Sequence, residues 1–408
     1  MTNIYKIYNI VNCKEEEKMI GQRLRRLRLA RGYSLEDLAI EMGGIVSRQA
    51  LSKYERGASR PSPVVLNKLA EVLKIKPLHL WSEPKISVKF IAYSKKSRLP
   101  KKEMTRIESY MEQKLEERIW LQDLMAQNIE LKLPVMNYSV DRIDDVEQIA
   151  INLRRSWNIG LDPISNMVNL LETHLVHIID VNTTENFDGL TALGYEEDKL
   201  KAAAIALNTE VCGERQRFNL AHELGHIVLN ISGDIDEEKA AYRFGSAFLA
   251  PESEILKEAG SKRSFITLQE LLFLKERFGL SIQALLYRLR ELHIINDSYY
   301  KKWCIEINKR SWKKHEPAEM KPEKPIWLRQ NILRAISEGI ITQEEANSLI
   351  DEEIKMEKPR SLKEKRGFMK LPLEERRRIL EKQAEKIAGV YECGSDTVDF
   401  QEGDIVDY

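Results

Sequence analysis

The run ERQRFNLAHELGHIVLN, residues 214–230, holds the side chains with the clearest chemistry. Its His222-Glu223-Leu224-Gly225-His226 pattern sets two imidazoles four residues apart. On a helix that spacing puts both on one face, where they can share one metal ion. Glu223 is one residue from the first histidine, rotated so that its carboxylate can meet a metal-held water. Zinc lowers the pKa of such a water, and a carboxylate beside it can take the proton and later pass it to a leaving amine. The expectation is a zinc-dependent peptidase site with His222 and His226 as ligands and Glu223 as catalytic base.

A catalytic zinc takes three protein ligands and keeps a fourth position open. No third histidine follows closely, since the next is His293. Glu237 and Glu238, which open EEKAAYRFGSAFLAP, are the acids that can complete a two-His, one-Glu set. Phe218, Leu220, Ile227 and Val228 give the site helix an apolar side, and Ala241, Phe244, Ala247 and Phe248 do the same for the next helix. The chemistry also needs a donor for the developing oxyanion, and Tyr242 is a candidate. His174 and His177 are expected to be structural.

RQRFNLAHELGHIVLN, followed by ExxAxxF and a closing Pro, resembles the ImmA/IrrE family of metallo-endopeptidases. The resemblance spans residues 85–295 and takes in FDGLTAL before the site and SIQALLYRLRELHII after it. It implies Glu238 as the third ligand, with Glu237 as the fallback. It also implies a system in which a stress or foreign-DNA signal leads to cleavage of a repressor. The chain departs from the family pattern at Ala241-Tyr242, where Ala-Asn is usual, and at Phe244-Gly245, where Phe-Ala is usual.

A second constellation lies near the front. Residues 19–76 hold twelve Lys/Arg against five Asp/Glu, although the whole chain is balanced at 64 and 64. Ser34 with Asp37 three residues on marks a helix start. Gly43-Gly44 breaks the chain, and Ser47 can cap RQALSKYERG, which ends at Gly57. Two short helices around a glycine turn form a helix-turn-helix. Its second helix turns Ala50, Leu51 and Tyr54 inward and exposes Arg48, Gln49, Ser52 and Lys53. Arg and Gln can pair with purine edges in the major groove, while Arg56 and Arg60 just beyond are placed to neutralise phosphates. The segment also resembles the Cro/C1-type (XRE) helix-turn-helix domain over about sixty residues, through SRQALSKYERGASRPSPVVLNKLAEVL. That resemblance implies double-stranded DNA as a partner, base reading by Arg48, Gln49 and Lys53 with Ser47 and Ser52 nearby, and homodimers on paired half-sites.

The elements that must position these groups follow from the pattern. The chain of 408 residues is expected to be mainly α with a small β-sheet, an α+β fold. A leader (1–18) precedes the helix-turn-helix domain (19–82). A zincin-like metallopeptidase domain (83–300), a proline-marked linker (301–325) and a helical tail (326–408) follow. Strands are expected at 176–181, 190–195 and 202–208, and helices at 104–128, 143–157, 163–174, 214–230 and 236–250, with two more around Gly279. The tail carries ILRAISEGIITQEEANSLI, which reads as a helical pair, and LPLEERRRILEKQAEKI, a charged helix. Its end bears six acids and no Lys or Arg in residues 391–408, and the FMKLPLEERRRIL…GDIVDY pattern of the tail resembles small antitoxin-type proteins, which implies a toxin as partner. Cys13, Cys212, Cys304 and Cys393 form no CxxC pair, which fits a reducing compartment and a cytoplasmic protein. No apolar run approaches a membrane span. Two functions are open: a DNA-binding regulator with a zinc endopeptidase that cleaves a repressor or itself, and a non-enzymatic repressor or antitoxin with structural or sensing zinc.

Overall fold

The computed structural model describes residues 18–75, 80, 86–93, 99–125, 133, 135–181, 183, 187, 189–208, 211–313, 315–350, 368, 370–378, 380 and 381. The chain divides into two compact units at residues 352 and 353.

The first unit begins with four short helices: α1 (18–30), α2 (Leu35–Glu41), α3 (Arg48–Glu55) and α4 (Pro63–Val72). Each of the last three starts at a serine whose hydroxyl accepts a backbone N–H that has no intrahelical acceptor. Ser34 does so in a reciprocal box with Asp37, Ser47 accepts from Ala50, and Ser62 accepts from Val65 ahead of Pro63. The backbone hydrogen bond to the Ser34 side of this box holds the Asp37 carboxyl below its ordinary pKa. Leu24, Leu27, Leu38, Met42, Leu51, Leu69 and Leu73 close the shared core. A Cβ on Gly21 would lie 2.4 Å from the Tyr54 carbonyl oxygen, so α1 and α3 meet backbone to side-chainless backbone.

Strand β1 (Ser87–Tyr93) and the 24-residue helix α5 (Lys101–Leu124) come next. β2 (Tyr138–Val140), α6 (Asp145–Ser156), α7 (Met167–Thr173), β3 (Val176–Asp180), β4 (Leu190–Glu196) and β5 (Lys199–Leu207) follow. The main sheet has the order β1-β4-β5-β3, antiparallel except where β3 runs parallel to β5. Alternation along the strands gives the sheet two different faces. Ala192, Ala202, Ala204 and Ala206 pack beneath Ile107, Met111, Leu115 and Ile119 of α5. A Cβ on Gly194 would lie 2.6 Å from Ile119 Cδ1, so small residues set how closely α5 lies. Val176, Ile178, Leu193, Ala203, Ile205 and Leu207 join the larger core with α8 (Gly213–Val228) and α9 (Glu237–Leu249), helices linked by β6 (Leu229–Ile231). β6 pairs in parallel with β2.

Helices α10 (Glu252–Ala259), α11 (Leu268–Phe278), α12 (Ile282–Glu291) and α13 (Asp297–Lys309) complete that core, with Gly279 at φ 63° turning α11 into α12. α14 (Trp327–Ser337) and α15 (Gln343–Leu349) form the expected helical pair, with Gly339 at φ 71° between them. The expected linker, 301–325, differs from its sequence reading. Its first part belongs to α13, and its proline-bearing part lies along α8 as a strap. Glu323 pairs with Arg217 and accepts the Val168 N–H, while its backbone exchanges two hydrogen bonds with Gln216. Glu316 shares Lys275 with Glu214, and Glu172 caps the backbone of Ile326 and Trp327. Proline marked a chain that makes no helix, but it said nothing of the side chains waiting for that chain.

In the second unit, residues 373–378 are helical, the first part of the expected charged helix. Residues 1–17 of the expected leader and the acidic end, 391–408, lie outside the described residues. Among the described residues, no helix is long and apolar enough to cross a membrane.

Candidate metal centre and nucleic-acid interface

Helix α8 carries His222 and His226 one turn apart on the side that meets α9. Their Nε2 atoms stand 3.2 Å apart. From the first turn of α9, Glu238 brings one carboxylate oxygen to 3.5 Å from His222 Nε2 and the other to 3.8 Å from His226 Nε2. One atom from each residue lies within 4.8 Å of the others. Ligands about 2.0–2.1 Å from a tetrahedral zinc are about 3.3 Å from each other. The observed separations of 3.2, 3.5 and 3.8 Å lie close to that spacing, so small side-chain shifts suffice to seat such an ion. Glu237 is exposed and outside this group.

The closeness of the two helices has a local cause. A Cβ on Gly225 would lie 3.2 Å from Ala241 Cα, and one on Gly245 would lie 3.1 Å from the His222 backbone nitrogen. The Gly245 departure from the family pattern thus falls where α9 presses on the first imidazole residue. Asp236 caps α9 through the Lys239 N–H and sets the turn on which Glu238 sits. Tyr242, one turn further on, places its ring 4.3 Å from that of His222 and 5.8 Å from that of Phe218. It forms an aromatic wall beside the donor group. His222 Nδ1 is buried with no hydrogen-bond partner among the described residues.

Glu223 is 1% exposed. Its Oε2 accepts a 2.6 Å hydrogen bond from Thr191 Oγ1 on β4. The residues that support it, Gly189 and Thr191, were within the FDGLTAL segment, but nothing in their types announced that role. His174 and His177 lie elsewhere. His174 stacks on Trp157 at 3.9 Å, and His177 is packed in the sheet core edge-on to Trp327. Burial, and then the nearby Arg118 charge, push the His177 pKa well below the ordinary histidine value.

The strap fixes the front of α8. Burial works against the Lys275 charge, but the hydrogen bonds it donates to Glu214 and Glu316 outweigh that and raise its pKa. Site helix, α11 and strap are joined through that one ammonium.

On the helix-turn-helix, Ser47, Arg48, Gln49, Lys53, Arg56 and Arg60 are exposed and Ser52 half-buried, while Leu51 is fully buried. The Ser47 hydroxyl is engaged as a cap, and Arg56 Nε donates to the Ser52 carbonyl oxygen. Much of the basic surplus is turned inward. Arg23 and Arg26 pair with Glu112 and Glu116 of α5, Arg31 donates to Gln113, and Arg28 forms a two-bond pair with Glu55. The cationic surface near α3 is therefore narrower than composition suggested.

Comparison with known proteins agrees with both parts. Residues 24–80 match the helix-turn-helix family model, and residues 180–290 match the IrrE N-terminal-like domain. Over 57 residues the chain is 37% identical to the SPbeta prophage-derived uncharacterized HTH-type transcriptional regulator YonR of Bacillus subtilis (strain 168). That match covers 14% of this chain and 51% of the relative, so the chain spans about half the length of the curated relative it matches.

Proposed function

We propose that this chain, in which an XRE-type helix-turn-helix domain is joined to an IrrE/ImmA-like metallopeptidase domain, is a DNA-binding regulator that cleaves a regulatory protein at a zinc site. The observation that carries the reading is the convergence of His222, His226 and Glu238 within 4.8 Å, with the buried Glu223 next to His222 on the same helix. When bound, zinc supplies the Lewis acidity that makes a water nucleophilic near neutral pH. Glu223 accepts the proton of that water and hands it to the amine of the departing peptide. His222, His226 and Glu238 hold the metal, and Tyr242 with Phe218 walls the site on the α9 side.

The substrate class is a repressor-type or other regulatory protein, or this same chain, and a toxin is the binding partner of the tail. Helix α3 enters the major groove, where Arg48, Gln49, Ser52 and Lys53 meet base edges and Arg56 and Arg60 meet phosphates. Two copies reading paired half-sites, in the cytoplasm with the DNA, complete the proposal.

The test uses purified full-length chain loaded with zinc, mixed with a Glu223→Gln chain and with the repressors or toxins encoded by neighbouring genes. Cleavage of any of these by wild type, abolished by chelation and absent in Glu223→Gln, is the expected result. Stoichiometric zinc and operator binding with no cleavage would overturn the peptidase reading and leave a repressor with structural or sensing zinc.

A further inference from the structure

Glu223 is gripped from the sheet as well as carried by its helix. Along β4, Leu190 and Ala192 belong to the core under α5, while Leu193 belongs to the core around α8. Strand alternation puts Thr191 on the α8 side with Leu193. There its hydroxyl donates to Glu223 Oε2 at 2.6 Å, with Thr191 0% and Glu223 1% exposed. A hydroxyl donating to an ionised carboxylate at this length is a charge-assisted bond, stronger than a neutral one. Two residues earlier, a Cβ on Gly189 would lie 2.7 Å from Glu223 Oε1 and 2.9 Å from its Cδ. Any larger residue at 189 would displace the carboxylate. One strand start thus supplies a donor to one oxygen and clearance for the other.

We infer that Thr191 is the positioning residue for Glu223, and that Gly189 provides the space in which the carboxylate is aimed at the open side of the metal centre. This rests on the peptidase reading. Thr191 acts through Glu223 and not through the metal ligands, so its loss changes what Glu223 does while the ion stays bound. A hydroxyl present only to satisfy a buried acid would matter to stability and not to chemistry at the metal.

The experiment measures binding of acetohydroxamic acid, a zinc chelator whose protonated oxygen is placed to meet a neighbouring carboxylate. Calorimetry is run on the zinc-loaded full chain for wild type, Thr191→Ser, Thr191→Val, Glu223→Gln and the Val/Gln double variant, with zinc content and melting temperature recorded for each. Thr191→Val and Glu223→Gln are each expected to weaken binding about tenfold. Thr191→Ser keeps the hydroxyl and stays within about twofold of wild type. The double variant binds no more weakly than Glu223→Gln alone, because the two residues act as one unit. If Thr191→Val binds like wild type, or its effect adds in full to that of Glu223→Gln, the inference is overturned while the peptidase reading stands. If wild type takes up no zinc, the peptidase reading falls and the inference with it. Should Thr191→Val fail to fold, Gly189→Ala takes its place: about tenfold weaker binding with zinc retained supports the grip, and unchanged binding overturns it.

Discussion

Helices α3 and α8 both gather polar side chains on one face, yet they treat them in opposite ways. α3 turns Arg48, Gln49 and Lys53 to solvent over a buried Leu51, and its fixed points are a serine cap and an apolar inner side. α8 buries Glu223 at 1% and His222 at 6% exposure, and a second helix, a strand and a strap hold it in place. On the proposed function, the difference follows from the partners. A base edge is met by side chains that adapt as the groove closes on them. A small ion demands donors fixed within a few tenths of an ångström before it arrives, and helices alone cannot supply that. Supports from distant sequence are the signature of the second kind of site.

Each of the following would break or sharpen that contrast. Glu223→Gln should lower cleavage by a factor on the order of 10²–10⁴ with zinc content unchanged; a variant retaining a tenth of the wild-type rate would remove Glu223 from the chemistry. Gly245→Val forces a branched side chain into the space beside the His222 nitrogen. It should cost about 1–3 kcal/mol of stability and weaken zinc about 10–100-fold in chelator competition, while operator affinity holds.

Arg48→Ala or Gln49→Ala should do the converse, losing about 1–3 kcal/mol of operator binding in a mobility-shift titration with zinc retained. An effect of either set of variants on both readouts would show that the two ends are less separate than their geometry suggests.

Smaller effects probe the surroundings. His177 is kept neutral in the fold, whereas its unfolded form takes up a proton below about pH 6.5. The unfolded state then binds more protons, so stability falls as the pH is lowered through that window, by at most about 1.4 kcal/mol per unit. His177→Phe should flatten this part of a melting-temperature profile between pH 7 and 5. Arg56→Ala and Arg60→Ala should each reduce the salt slope of DNA binding by about 0.9. Arg23→Ala and Arg26→Ala should leave that slope alone and cost about 0.2–1 kcal/mol of stability by losing their glutamates on α5.

The contrast also governs what was legible in the sequence. Capping serines, the buried face of α3 and the helical spacing of His222 and His226 are local patterns, and they are visible in any short window. The choice of Glu238 over Glu237 as the acid facing the imidazoles needed the turn of α9 relative to α8, which the family resemblance implied and spacing alone left open. Thr191, Gly189 and the strap acids Glu316 and Glu323 were not legible. Their partners lie 32 to 155 residues away, and threonine, glycine and glutamate carry no sign of a distant contact. The charge count misled for the same reason, since arginines that pair inward weigh as much in a composition as those that face solvent.

Helix α5 bears on how such a chain came to be assembled. One of its sides is apolar and fills the alanine-lined face of the sheet, and the other offers Glu112 and Glu116 to the arginines of α1. A DNA-reading module exchanged for another by recombination would arrive at an acidic wall already shaped for its predecessor. A newcomer with cations at matching places on its first helix would regain the roughly 0.2–1 kcal/mol that such a pair contributes. The joint therefore carries a small energetic preference for a first helix whose cations match the acids of α5.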